Sequence, residues 1–152
     1  MSAISVAVSA CLMGENCTYK ATNNIISCAD ELERLCHVVR ICPESQGGLT
    51  CPRNPAEIQG KKVCMCDGTD VTHEFIEGAQ KACSDAVEAG CTYALLKEKS
   101  PSCGYGRIYD GTFSKTLIKG NGLGAQALHD AGITIFGETQ VDELLHILRQ
   151  DL

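Results

Sequence analysis

The sequence predicts an α/β fold: a single domain, residues 1–152, with a mostly parallel sheet and helices on both faces, a Rossmann-like three-layer arrangement. Three observations predict it. Four short apolar runs recur along the chain, and amphipathic helical patterns separate them. No linker, internal repeat or low-complexity segment divides the 152 residues. Strands covered on both faces read as continuous apolar runs, and strands alternating with helices favour parallel pairing.

The first strand is Ala3 to Ala10 (AISVAVSA), short and rich in valine and isoleucine. Ser27-Cys28-Ala29-Asp30 fits a capping box and precedes a helix with Cys28, Leu32, Leu35 and Cys36 on one face. His37 to Ile41 (HVVRI) is the second strand. Glu44 to Gly60, rich in proline and glycine, reads as a loop, and Lys62 to Cys66 as a short strand. Phe75, Ile76, Ala79, Ala82, Cys83, Ala86 and Val87 follow helical spacing, and Gly90 ends that helix with a left-handed residue. Thr92 to Leu96 (TYALL) is a third buried strand, followed by a Ser/Gly/Pro-rich loop from Lys97 to Gly111. Thr112 to Ile118 reads as a short extended piece. A helix spans Asn121 to Ala131, a strand Ile133 to Phe136 (ITIF), and a last helix Thr139 to Leu148 buries Val141, Leu144, Leu145 and Leu148.

Composition removes several functions. The formal charge is −6, with no cluster of Lys or Arg, which argues against binding duplex nucleic acid through its phosphates. No apolar run approaches the roughly 20 residues that span a bilayer. The stretch from Met1 to Cys11 carries no basic residue before its apolar run, so it does not read as a secretory signal. Eleven cysteines, an odd number, cannot all pair within one chain. The expected compartment is therefore a reducing cytoplasm, where a Cys-rich chain is metal-binding or catalytic rather than cross-linked. Most of the eleven are expected to be small core hydrophobes.

The exceptions are sought beyond the carboxyl ends of the strands, where open parallel sheets form their sites. Cys11 follows the first strand, Cys42 the second, and Lys97, Ser100 and Cys103 the third. If these strands are adjacent and parallel, three cysteines far apart in sequence meet on one edge. Each sits among small or proline neighbours: Ser9-Ala10-Cys11-Leu12-Met13-Gly14, Cys42-Pro43-Glu44 and Ser100-Pro101-Ser102-Cys103-Gly104. Three thiolates without an obvious fourth ligand suit a [4Fe-4S] cluster with one open iron, which can act as a Lewis acid toward a sulfur-containing substrate. There is no CxxC pair, so spacing alone is a weak signal. Cys17 and Cys51, in nearby loops, are secondary candidates as a fourth ligand or sulfide acceptor. Cys64-Met65-Cys66 reads as core packing, Cys28, Cys36, Cys83 and Cys91 as structural thiols, and Gly120-Asn121-Gly122-Leu123-Gly124 as a tight turn rather than an anion site.

Several segments, in order, carry a specific resemblance: VSACLMG (Val8 to Gly14), CPESQGGL (Cys42 to Leu49), PRNPAEI (Pro52 to Ile58), GTDVT (Gly68 to Thr72) leading into FIEGA, LLKEKSPSCG (Leu95 to Gly104) and IYDGTF (Ile108 to Phe113). With these the chain resembles the thiouracil desulfidase (TudS-like) family over most of its length. The resemblance implies a [4Fe-4S] cluster held by Cys11, Cys42 and Cys103, with Glu44 and Ser100 acting in catalysis. It implies hydrolytic, non-redox removal of sulfur from a thiolated nucleobase such as 2-thiouracil, releasing sulfide. The partner is then a small thiolated base or nucleoside. One segment departs: where many relatives have Tyr-Asp-Gly, this chain has Tyr19-Lys20-Ala21, which bears on substrate contacts from that loop and not on the cluster. Lys97 is expected to neutralise a negative cluster, to orient Glu44, or to be a solvated strand-end charge. The rival functions are an iron–sulfur or sulfide carrier in cofactor or tRNA thiolation metabolism, and a structural-zinc module.

Overall fold

A computed structural model describes residues 4–150. Its centre is a four-stranded sheet of β1 (Ser5–Ser9), β2 (His37–Ile41), β5 (Cys91–Leu96) and β8 (Thr134–Gly137). The strand order is β2-β1-β5-β8 and every pairing is parallel. Ala3, where the sequence reading begins the first strand, lies outside the described residues.

Successive residues of a strand face opposite sides of the sheet, and β1 shows how this builds three layers. Val6 and Val8 join Leu95 and Phe136 in a core closed by α1 (Ala29–Leu35) and α5 (Val141–Gln150), through Leu32, Leu35, Leu144, Leu145 and Leu148. Ala7, between the two valines, joins Ala94, Leu96 and Ile135 on the other face. There α3 (Thr72–Glu88) and α4 (Leu123–Asp130) pack through Ala82, Ala86, Ala125 and Leu128. The small alanines on this face bring helix and sheet close together.

Two antiparallel ribbons sit outside the sheet. One joins β3 (Ala56–Gln59) to β4 (Lys62–Met65); the other joins β6 (Arg107–Tyr109) to β7 (Leu117–Lys119). A four-residue helix, α2 (Pro43–Gln46), follows β2 directly. The segments 44–60 and 97–111, read as loops, thus contain α2, β3 and β6. These pieces of three or four residues are too short to show a period.

Other expectations are corrected in detail. The capping box at Ser27 does not form: the N-cap of α1 is Cys28, with no side-chain cap. On α3 the buried stripe is Phe75, Ala79, Ala82 and Ala86, whereas Ile76 and Val87 are 44% and 55% exposed. Gly90 does follow that helix at φ +71°, as expected. Cys66 lies beyond β4 in a turn, so it does not share a strand face with Cys64.

Glu57 ties the ribbons together. Its carboxylate is buried and accepts the backbone N–H groups of Gly111 at 2.9 Å and Phe113 at 3.1 Å. This anchors the tip between β6 and β7, where Phe113 and Lys115 hold positive φ.

Candidate active site

The order β2-β1-β5 sets the three strand-end loops side by side. Cys42 follows β2 directly and is the N-cap of α2. Cys11 lies in the 3-10 turn Ala10–Met13 after β1, and is buried. Cys103, buried in the loop after β5, completes the group. The three thiols feel one another: charge on either Cys42 or Cys11 would raise Cys103. All eleven cysteines are free.

A fourth thiol stands among them. Cys17 hydrogen-bonds to both Cys11 and Cys42. It keeps the proton, and its own pKa is raised by those two contacts. The hydrogen bond from Cys17 lowers Cys11 against the effect of burial, and it brings Cys42 down to about 6, helped by Ser45. Burial pushes Cys103 up to about 12, against a hydrogen bond with Ser9. The surroundings thus pull Cys11 and Cys42 toward thiolate and hold Cys103 toward the thiol.

Among the described residues, no three His, Cys, Asp or Glu side chains converge tightly enough to hold a single metal ion. Soft thiol donors carried by separate loops fit a larger inorganic group such as an iron–sulfur cube.

Beside the thiols sits Glu44, on the first turn of α2. Its Oε1 accepts from Arg53 Nε at 3.0 Å and is ion-paired with Nη2 at 2.9 Å. Its Oε2 accepts from the Ser102 hydroxyl at 2.7 Å. The Arg53 side chain is 5% exposed and that of Glu44 15%. Burial alone would lower the Arg53 pKa; the charge and hydrogen bond of Glu44 outweigh it and raise it. Arg53 also donates to the backbone carbonyls of Cys17 at 3.0 Å and Thr50 at 3.1 Å, and to the Cys51 sulfur at 2.9 Å. It thereby fastens the loop after Cys11 to the helix that carries Glu44. Ser100 Oγ accepts the Cys103 N–H at 2.8 Å and lies 3.4 Å from Ser102 Oγ.

The structure thus brings together Cys11, Cys42, Cys103, Glu44 and Ser100. The sequence reading assigned no role to Arg53 or Ser102, although both stand inside quoted segments, PRNPAEI and SPSCG. Cys51 is exposed and engages Arg53 rather than the thiol group.

A family model for 2-thiouracil desulfurase matches residues 6–140. The chain belongs to the 2-thiouracil desulfurase family. A relative from Bacillus subtilis (strain 168), "Uncharacterized protein YbbK", is 38% identical over 154 residues, spanning 92% of this chain and 99% of that one. A solved structure described as the [4Fe-4S]-dependent thiouracil desulfidase TudS matches with a TM-score of 0.89 at 40% identity, covering 97% of this chain and 99% of that one. The shared fold is the mostly parallel α/β arrangement described above.

Three features of this 2-thiouracil desulfurase family chain complete the site. Lys97 Nζ pairs with Glu138 at 2.6 Å, so Lys97 does not orient Glu44; Arg53 does. The Lys97 charge still lowers Cys11, as the smallest of several influences. The backbone N–H groups of Leu123 and Ala125, at the start of α4, donate to Pro101 O at 2.8 Å and Ser102 O at 3.0 Å. Those helix-end donors seat the SPSCG loop and are not offered to an anion, which matches the tight-turn reading of residues 120–124. Ala21 stands at φ +57°, a conformation that favours glycine, at the place where the Tyr-Asp-Gly run is replaced.

Proposed function

We propose that the chain is a [4Fe-4S]-dependent desulfidase that converts the C=S of a small thiolated nucleobase, such as 2-thiouracil, to C=O and releases sulfide. The observation that carries this reading is the meeting of Cys11, Cys42 and Cys103 beside a half-buried, doubly anchored Glu44. Membership of the family and the likeness to TudS support it.

Cys11, Cys42 and Cys103 would hold the cluster. When bound, it supplies a Lewis-acidic iron that polarises the thiocarbonyl carbon toward attack by water. The rest falls to the chain. Arg53 fixes the orientation of the Glu44 carboxylate, as a general base needs. Glu44 takes a proton from water as it adds to carbon, and returns one as the C–S bond breaks. Carbon keeps its oxidation level, so no electron donor is required. Ser100, half-buried at the rim of the group, is placed to move that proton or to meet the N–H edge of the base. With 5% aromatic residues the site offers little stacking surface for a strand, and a free base or nucleoside is the fitting partner rather than a duplex. A reducing cytoplasm suits eleven free thiols. Among the described residues no helix is long and apolar enough to cross a membrane.

Anaerobically reconstituted protein should be brown and should convert 2-thiouracil to uracil with stoichiometric sulfide. Replacing Cys11, Cys42 or Cys103 by alanine should remove colour and turnover together. Protein that binds no iron, or that carries a cluster and releases no sulfide, would overturn the reading; the latter result would instead favour a carrier.

A further inference from the structure

We propose that Ser102 is a proton relay that couples Ser100 to Glu44. The inference deepens the desulfidase reading and rests on it. Its basis is the direction built into a short hydrogen-bond chain. The Cys103 N–H donates to Ser100 Oγ at 2.8 Å, so that oxygen already accepts one bond and its own proton is free to point onward. Ser102 Oγ lies 3.4 Å away and donates its proton to Glu44 Oε2 at 2.7 Å. A hydroxyl that donates to the carboxylate is left to accept from its other neighbour. The chain therefore runs one way, from Ser100 through Ser102 to Glu44. The longer link is the kind that tightens when substrate is in place.

Burial and anchoring agree with this order. Ser102 is 3% exposed, whereas Ser100 is only half-buried and forms the outer end. At the inner end, Arg53 engages Glu44 Oε1 through the Nε hydrogen bond and the ion pair, leaving Oε2 as the oxygen that faces Ser102. The Ser102 backbone is fixed as well: Ala125 N–H donates to its carbonyl at 3.0 Å, and a Cβ at Gly124 would lie 2.8 Å from that carbonyl oxygen.

The step balances without electrons. Attacking water gives one proton to Ser100 Oγ as its hydroxide adds to the C=S carbon. Ser100 passes its own proton to Ser102, and Ser102 passes its own to Glu44 Oε2. Glu44 ends as a neutral acid and both serines are restored. The reverse passage delivers that proton to the departing sulfur, which leaves as HS⁻; the added hydroxyl gives its own proton to the emptied chain as C=O forms, and Glu44 then releases it to solvent, so the sum is C=S plus water giving C=O, HS⁻ and a proton.

The test uses the reconstituted enzyme, with iron content and the visible band measured first. For the wild type, turnover of 2-thiouracil in mixtures of H2O and D2O should give a curved proton inventory, since more than one proton moves in the limiting step. Ser102→Ala should keep its iron, lose about 100-fold in turnover and give a linear inventory. Ser102→Thr, which retains the hydroxyl, should restore most of the rate. The double variant Ser100→Ala/Ser102→Ala should be no slower than the slower single variant. A linear inventory in the wild type overturns the relay, and this measurement needs no variant to fold. So does Ser102→Ala working within about threefold of the wild type, or single losses that multiply in the double variant. Iron-loaded wild type that leaves 2-thiouracil untouched overturns the desulfidase reading itself, and the relay with it.

Discussion

Arg53 is the residue on which the geometry of the acid–base group turns. One guanidinium reaches Glu44, the backbone at Cys17 and Thr50, and the Cys51 sulfur. Such a planar fork is not reproduced by an ammonium group. Arg53→Lys should therefore keep its iron, because no ligand thiol is lost, while turnover falls by about 10–100-fold as Glu44 loses its fixed orientation. Steady-state rates set against iron content check this; an unchanged rate would mean that Ser102 alone suffices to hold Glu44. The role of Arg53 was hidden in the sequence for a plain reason. It lies nine positions after Glu44 in a proline-flanked loop, outside any periodic element, and only the fold of that loop brings it back. The three thiols were legible because strand ends obey a rule: apolar runs locate the strands, and parallel order locates their carboxyl ends. Ser102 stood in view inside SPSCG, yet nothing in a sequence says which of two neighbouring serines faces a carboxylate.

Among the elements, α2 shows how a four-residue helix can be placed accurately. Gly78 of α3 lies so close to it that a Cβ there would collide with the Pro43 carbonyl, and a Cβ at Gly47 would collide with Glu74 O. Two glycines thus let α2 rest directly on the backbone of α3, and α2 carries Glu44 while its N-cap is Cys42. Gly78→Ala must push this pair apart, at about 1–3 kcal/mol. It should lower the melting temperature of the apoprotein and, because Cys42 and Glu44 move together, reduce both iron loading and turnover. A thermal melt and an iron assay on the same preparation check it; normal iron loading would show that α2 is free to shift without its cysteine. The long helices and the four sheet strands were readable from apolar period. The short pieces α2, β3 and β6 were not, since their positions follow from backbone contacts with neighbours rather than from side-chain pattern.

For the molecule as a whole, the three proposed ligand thiols stand beyond the ends of β1, β2 and β5, so a group held by all three would tie those ends into one unit. A group bound across them stabilises the native state and not the unfolded chain. Removing iron with a chelator under anaerobic conditions should lower the melting temperature by about 5 °C or more. Cys103→Ala should melt at the same temperature with or without iron. Scanning calorimetry on both forms measures this, and a wild-type melt indifferent to iron would mean that the thiols do not bridge the strands. The three-layer plan itself follows from the alternation Val6-Ala7-Val8, which sends large side chains to one face and a small one to the other.

The spacing of the thiols along the chain also sets an order of events in biosynthesis. A nascent polypeptide that has passed Cys42 carries two of the three proposed ligand thiols and a single pair of sheet strands. The third sulfur emerges only after a further sixty or so residues, and β5 must first dock against β1. A cluster held by all three could therefore be completed only once β5 has docked, on a chain already folded enough to receive it.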